Sequence, residues 1–207
     1  VGVTGKVSGT VEDFHMDELK VAAEAGGFSG TVNGRMTGLP EIEGTRLKAK
    51  VDRFNLTSDG LGMFLSEWMQ DGEIDLGRYA KGHTFMVDAT VDGLMDNLHI
   101  NTGIFSLIGR AKADVKVKGL VDPGEPISID GTASTEDLDL GKIMSMEILG
   151  PVTLRTGLKA ELGEKKSARI DSLFVDRLHV NRYDYSGIKA SGALSENMFN
   201  GTIIASD

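Results

Sequence analysis

The chain has 207 residues, 22 Lys and Arg against 31 Asp and Glu, a net charge of −9, and no Cys. That length supports a sizeable core. The acidic balance argues against a nucleic-acid partner, which needs a basic face, and the absence of Cys removes disulfide frameworks, thiolate metal sites and Cys nucleophiles together. No apolar run approaches the ~20 residues of a membrane-spanning helix, and no signal peptide is recognisable. Opening on Val1 and closing soon after Ile203-Ile204, the sequence reads as a piece of a longer chain.

Gly is unusually frequent at 27 of 207 residues, about twice the ordinary ~7%, while Pro occurs 4 times and 40% of residues are hydrophobic. This mixture points to many strands with Gly at their ends and bends. In chain order, Leu47, Ala49 and Val51 alternate with polar residues, and the apolar phase then slips by one residue to Phe54 and Leu56. A bulge or tight bend is expected at Asp52-Arg53. Leu61, Phe64, Leu65, Trp68 and Met69 fall at helical spacing, with Ser58 or Asp59 able to cap the start and Asp71-Gly72 the end, so one short amphipathic helix is expected near 59–70. Period-two alternation resumes at Phe85-Val87-Ala89-Val91, Leu98/Ile100, Ala111-Ala113-Val115-Val117, Ile127/Ile129, Val152 through Leu162, Leu178/Val180 and Ile188/Ala190. A weaker helical turn is expected over Ile143 to Leu149. One dry and one wet face per strand is the pattern of an antiparallel sheet covered on one side. The expected fold is therefore all-β, an elongated, curled antiparallel sheet of twelve to sixteen strands.

The sequence also matches itself at a period near 80 residues. Glu18-Leu19-Lys20-Val21 returns as Asn97-Leu98-His99-Ile100 and as Arg177-Leu178-His179-Val180. Thr10 to Phe14 resembles Thr90 to Leu94 and Arg169 to Leu173. Gly38-Leu39 matches Gly119-Leu120, and Phe54-Asn55-Leu56 matches Leu138-Asp139-Leu140. The expected organisation is one repeat segment, with repeats over about 7–86, 87–166 and an incomplete 167–207. A unit that cannot bury its own dry face stacks on its neighbours, and repetition favours a distributed surface over a single catalytic site.

Catalytic and metal signatures are weak. His99 and His179 share a repeat position that holds Lys20 in the first copy, which reads as a solvated position on the wet face. His15 and His83 have no helpful partner at fixed spacing. Asp71, Glu73 and Asp75 imitate the start of a calcium loop, but Leu76 stands where that loop needs Gly and Gly82 where it needs Glu. The turn carboxylates Asp13, Asp17, Glu18, Asp92, Asp96, Asp137 and Asp139 suit local backbone hydrogen bonds, and aromatic residues at 6% are thin for sugar platforms. The Lys112, Lys116 and Lys118 stripe reads as the wet face of a strand. No catalytic residue, metal ligand or cofactor is assigned. Met and Phe are expected mostly on the dry face, as core or as the wall of a groove for flexible chains.

Asp137-Leu138-Asp139-Leu140-Gly141-Lys142-Ile143-Met144, its shorter echo Ile74-Asp75-Leu76-Gly77-Arg78-Tyr79, and the glycine-leucine strand starts Gly38-Leu39, Gly119-Leu120 and Gly192-Ala193-Leu194 resemble the recurring phrases of the AsmA-like bacterial envelope proteins, especially the TamB branch. The resemblance implies a taco-like β-sheet lined with apolar side chains, a periplasmic location in a parent chain anchored in the inner membrane, and phospholipid transport between the inner and outer membranes. Through the parent chain it also implies an Omp85-type outer-membrane barrel as partner and a link to outer-membrane protein assembly.

The residue pattern itself is compatible with a dry interior that shields acyl chains. Each buried CH₂ is worth ~0.8 kcal/mol, so a sixteen-carbon tail carries roughly 12 kcal/mol of exposure cost in water. The expected lipid-binding lining is Phe54, Leu56, Phe85, Val87, Val91, Leu98, Ile100, Val115, Val117, Ile127, Ile129, Val152, Leu154, Leu158, Leu178 and Val180. Leu61, Phe64, Leu65 and Trp68 are expected to plug the groove, and the small residues Ala89, Ala111, Ala113, Ala160 and Ala190 to keep it unfilled. The alternatives are a structural β-solenoid stalk or adhesin with a solid interior, and a sugar-binding β-helix, which would need rows of exposed aromatics.

Overall fold

A computed structural model describes residues 1–23, 27–60, 80–122, 124–163, 167–195 and 198–205. The alternation is realised as β1 (Gly2–Gly9), β2 (Asp13–Ala22), β3 (Phe28–Thr37), β4 (Arg46–Thr57), β5 (Thr84–Leu94), β6 (Asn97–Ser106), β7 (Gly109–Lys118), β8 (Ile127–Asp139), β9 (Leu149–Leu162), β10 (Ser167–Val180), β11 (Tyr183–Tyr185), β12 (Ile188–Ser195) and β13 (Met198–Ile204). They form one open, elongated and curled antiparallel sheet of 13 strands in which each strand pairs with its chain neighbour from β1 to β10, then β12 and β13, with β11 added beside β10. A meander of this kind needs no crossover helices, so short turns suffice.

The chain makes the same kind of bulge three times. Glu18, Arg53 and Asp137 all sit at φ 46, a left-handed conformation that is uncommon for a residue with a Cβ. Each interrupts its ladder, between Met16 and Leu19, Val51 and Phe54, and Thr135 and Leu138. In each case a side chain on the following strand catches the displaced N–H. The Glu18 N–H donates to Asn33 Oδ1 at 2.8 Å, that of Arg53 to Asp88 Oδ1 at 2.7 Å, and that of Asp137 to Thr153 Oγ1 at 3.0 Å. The bulge expected at Asp52-Arg53 is therefore present, and two more accompany it. An extra residue resets the period-two phase, so Leu19, Phe54 and Leu138 return to the apolar face.

The repeated phrases fall on strands four apart. The three Leu-centred phrases lie in β2, at the start of β6 and in β10, and Phe54 and Leu138 each follow the bulge, in β4 and β8. The Thr10 phrase does not keep this spacing: it covers the β1–β2 turn, the end of β5 and the interior of β10.

The helical turn expected over Ile143 to Leu149 lies earlier, as α1 (Leu140–Met144). Asp139 sets its start by accepting from the Lys142 N–H at 3.0 Å, and Ser145 in the left-handed conformation ends it. Residues 58–60 are helical, but the rest of the expected amphipathic helix, with the plug residues Leu61, Phe64, Leu65 and Trp68, lies outside the described residues. So do Asp71, Glu73 and Asp75.

The molecule exposes 13612 Å², whereas a compact 22.1 kDa monomer exposes roughly 9,300 Å². The buried hydrophobic residues are Ala23, Ala80, Phe85, Leu98, Ile108, Val117, Val152 and Val175. A two-layer sandwich would bury the whole inner face of each sheet; here most of the apolar face is partly exposed.

Candidate functional site: the apolar face of the sheet

Directly opposed residues of an antiparallel pair share a face, so the register fixes which side chains lie together. Three cross-strand rows carry much of the apolar surface. One runs Val87–Ile104–Ala111–Thr135–Leu154, one Val91–Ile100–Val115–Gly131–Leu158, and one Leu98–Val117–Ile129–Ala160. Phe54 opposes Val87, Leu56 opposes Phe85, Val152 opposes Leu178, and Val180 opposes Leu149, while Ile127 opposes Leu162. The register thus puts all sixteen expected lining residues on one face. Phe85, Leu98, Val117 and Val152 are buried there; the other twelve are partly exposed.

Between the first two rows runs Val51–Ala89–Thr102–Ala113–Ala133–Thr156, with Leu173 next in line. From Ala89 to Thr156 every side chain is small, and branched apolar residues flank the line on both sides at β5, β6 and β9, while Ala111 on β7 and Thr135 and Gly131 on β8 leave it more open. The result is a furrow across the strands, spanning β5 to β9, roughly 19 Å at ~4.8 Å per strand. Ala89 and Ala113 were among the expected spacers; Thr102, Ala133 and Thr156 were missed, because cross-strand adjacency follows from register and not from sequence distance. Ala111 sits in the first row and Ala160 in the third, while Ala190 stands opposite Leu173.

One end of this face is closed by a small core. Ala80, Phe85 and Ile108 pack together with Ile104 and with Ile143 of α1, and the Ala80 N–H donates to the Ile143 carbonyl at 2.6 Å. The helix therefore covers the strand ends near Phe85, beside residues 58–60, where the Gly82 N–H donates to Ser58 Oγ at 3.3 Å.

The opposite face is polar and carries a set of ion pairs. Arg46 pairs with Asp92 at 2.6 Å, Lys50 with Asp52 at 2.7 Å, Lys159 with Asp130 at 3.3 Å and Arg155 with Asp176 at 3.5 Å. His99 Nε2 meets Asp114 Oδ1 at 2.7 Å, and His179 Nδ1 meets Asp184 Oδ1 at 2.8 Å. Both His residues lie on the wet face as expected, but each has a carboxylate partner that sequence spacing did not reveal. The His99 hydrogen bond, then that of Asn101, lowers the Asp114 pKa, and the His179 hydrogen bond lowers that of Asp184. Asp13 is lowered in the same way by Arg35.

A shallow cavity of about 910 Å³ spans β4 to β10. Its wall holds polar-face residues such as Asp88, Asn101, Lys112 and Arg155, together with Phe105 and Phe174, and every residue of the row from Val51 to Thr156 borders it as well. None of the sixteen expected lining residues borders it. Phe105 and Phe174 depart from the expectation that Phe faces the dry side, whereas the register puts Phe14, Phe28, Phe54 and Phe85 there. The Phe105 ring shields Gly103, where an added Cβ would come within 3.1 Å of the ring, and Phe174 is covered by the Arg155 guanidinium at 5.5 Å and the Lys189 ammonium at 5.9 Å.

Among the described residues there is no group of three or more His, Cys, Asp or Glu able to hold a metal ion, and no helix is long and apolar enough to cross a membrane. No family model matches the chain, and neither a curated protein nor a solved structure matches it.

Proposed function

We propose that the chain is a non-enzymatic segment of a cell-envelope protein whose apolar sheet face carries phospholipid acyl chains between the inner and outer membranes. The observation that supports this reading best is the furrow-bearing face itself. It is contiguous over twelve strands, roughly 50 Å at ~4.8 Å per strand, and most of its branched side chains stay partly exposed. Apolar patches on soluble monomers seldom exceed a few hundred Å² without an interaction partner. An acyl chain is a fitting occupant because it is flexible, has no hydrogen-bonding needs, and would gain ~0.8 kcal/mol for each CH₂ taken out of water. The AsmA-like phrases favour a periplasmic setting, and with it an Omp85-type barrel as partner of the parent chain.

The test is lipid extraction and native mass spectrometry of the purified chain, followed by transfer of labelled phospholipid between vesicles. Val87→Asp combined with Val115→Asp places two charges on either side of the furrow at partly exposed positions. Bound phospholipid and transfer are expected to fall at least tenfold while the circular dichroism spectrum is kept. A wild-type chain that carries no phospholipid, or a double variant that transfers normally, would overturn the reading. A lipid-free wild type would return the stalk alternative to first place.

A further inference from the structure

The register sorts the wall of the cavity of about 910 Å³. Lys112, Ser134, Arg155 and Phe174 all border it, and they are direct cross-strand neighbours on β7, β8, β9 and β10. Lys189 of β12 stands next in line, opposite Phe174. Opposed residues share a face, so this line carries three cations on one side of the sheet and no carboxylate. Lys112 and Arg155 are two strands apart, ~9.6 Å, with Ser134 between them.

Phe174 holds the cations in place. The Arg155 guanidinium lies 5.5 Å from the ring centroid and the Lys189 ammonium 5.9 Å, which fixes the guanidinium against the ring before any ligand arrives. The carboxylate paired with Arg155 is that of Asp176 at 3.5 Å, well beyond the ~2.7–2.9 Å of a strong charge-assisted hydrogen bond. Among the described residues Lys112 has no ion-pair partner, and the Ser134 hydroxyl has no hydrogen bond. The two carboxylates of the wall are already engaged. Asp88 accepts the Arg53 N–H at 2.7 Å, and Asp114 is held by His99 at 2.7 Å and by Asn101 at 2.8 Å. On its other side Lys112 opposes Gly103. The absence of a side chain there lets the Phe105 ring lie over the strand, which brings an apolar surface beside the position of Lys112.

We propose that this cavity binds an organic phosphate, with the phosphate between Lys112 and Arg155 over Ser134 and the organic part against Phe105. Two cations reaching in from separate strands suit a dianion with several oxygens. Arg155 can offer two parallel N–H donors, Lys112 a point charge and Ser134 a hydroxyl donor. A lone carboxylate would need only one of the two cations. The volume falls within the ~300–1,000 Å³ of small-molecule sites. None of these side chains belongs to the three apolar rows, so the site stands whether or not the apolar face carries lipid.

The test is titration of the purified chain with phenyl phosphate and with inorganic phosphate at constant ionic strength, read by calorimetry and by backbone amide shifts. Saturable binding is expected, with the shifts clustered around Gly103, Lys112, Ser134 and Arg155. Phenyl phosphate is expected to bind more tightly than inorganic phosphate, and Phe105→Ala to remove that advantage. Lys112→Gln and Arg155→Gln, both at exposed positions that spare the fold, should each weaken binding at least fivefold. Asp176→Asn removes the competing carboxylate and should tighten it. Shifts spread evenly over the basic residues of the chain overturn the proposal, as does binding that ignores both Gln variants. Vesicles containing phosphatidylglycerol supply the same phosphate chemistry in a lipid headgroup. A chain that binds those vesicles and neither soluble phosphate also overturns it, by assigning the cations to a membrane surface.

Discussion

The two faces of this sheet share every strand and differ in how their side chains are satisfied. On the polar face many charged side chains find a partner across a strand, as Arg46 does with Asp92 and His99 with Asp114, and the rest stand in water. On the apolar face, α1 and the residues around Ala80 cover the end near Phe85, while the rows through Val87 and Val115 remain partly exposed. The difference separates what folds the protein from what is free to act. Packed side chains at the strand ends hold the sheet in shape, and half-covered ones in the middle hold surface in reserve.

The largest effect should come from breaking the packed end. Phe85→Ala leaves a cavity among Ala80, Ile108, Ile104 and Ile143, and is expected to cost about 3–5 kcal/mol in a urea or guanidinium titration. Val87→Ala, two residues along the same strand and on the same face, removes side-chain surface that is already partly exposed and should cost below about 1 kcal/mol. If the two substitutions cost the same, something covers the middle of the face as thoroughly as α1 covers its end.

The bulges give a smaller, sharper test. Arg53 holds a left-handed conformation next to Asp88, whose carboxylate accepts its N–H. Asp88→Ala strands that N–H at a partly exposed site and should cost about 1 kcal/mol. Asp88→Asn keeps an acceptor oxygen and should recover most of the loss. Arg53→Gly relieves the backbone and should be neutral or mildly stabilising. The Arg53→Gly result separates a strained bulge from a merely irregular one.

These comparisons also mark what could be read in the amino-acid sequence. The alternation at Ala111 to Val117 states its two faces outright, and the phase slip after Val51 locates a bulge to the residue. The same signal, two polar residues ahead of an apolar one, stands at Asp17-Glu18-Leu19 and Glu136-Asp137-Leu138 and was overlooked because the flanking alternation is shorter there. α1 was placed too late because the capping carboxylate of Asp139, and not the apolar spacing around Ile143, decides where the helix begins. The row from Ala89 to Thr156 was beyond reach for a different reason. Its members come from five strands, and their adjacency depends on turn lengths and on the bulges between β4 and β5 and between β8 and β9. The same holds for Asp114 beside His99, 15 residues away along the chain.

The smallest expected effect is one of pH, and it belongs to the polar face alone. Asp13, Asp114 and Asp184 have pKa values lowered in the folded state, chiefly by hydrogen bonds from Arg35, His99 and His179 respectively. A lowered folded-state pKa means that the stabilisation is fully present above the ordinary unfolded carboxylate range, near ~3.9, and is lost as pH falls through the depressed folded values. All three carboxylates are solvent-exposed, so screening keeps the contribution small and sensitive to salt. The thermal midpoint should therefore hold steady from pH 7 down to about 5 and fall below ~4, with a shallower fall in 0.5 M salt. Asp114→Asn should flatten the acid limb slightly and leave phospholipid binding unchanged. A drop in lipid binding in that variant, or an acid limb that ignores salt, would mean that the wet face communicates with the dry one through the backbone of β6 and β7, and the separation of roles between the two faces would fail.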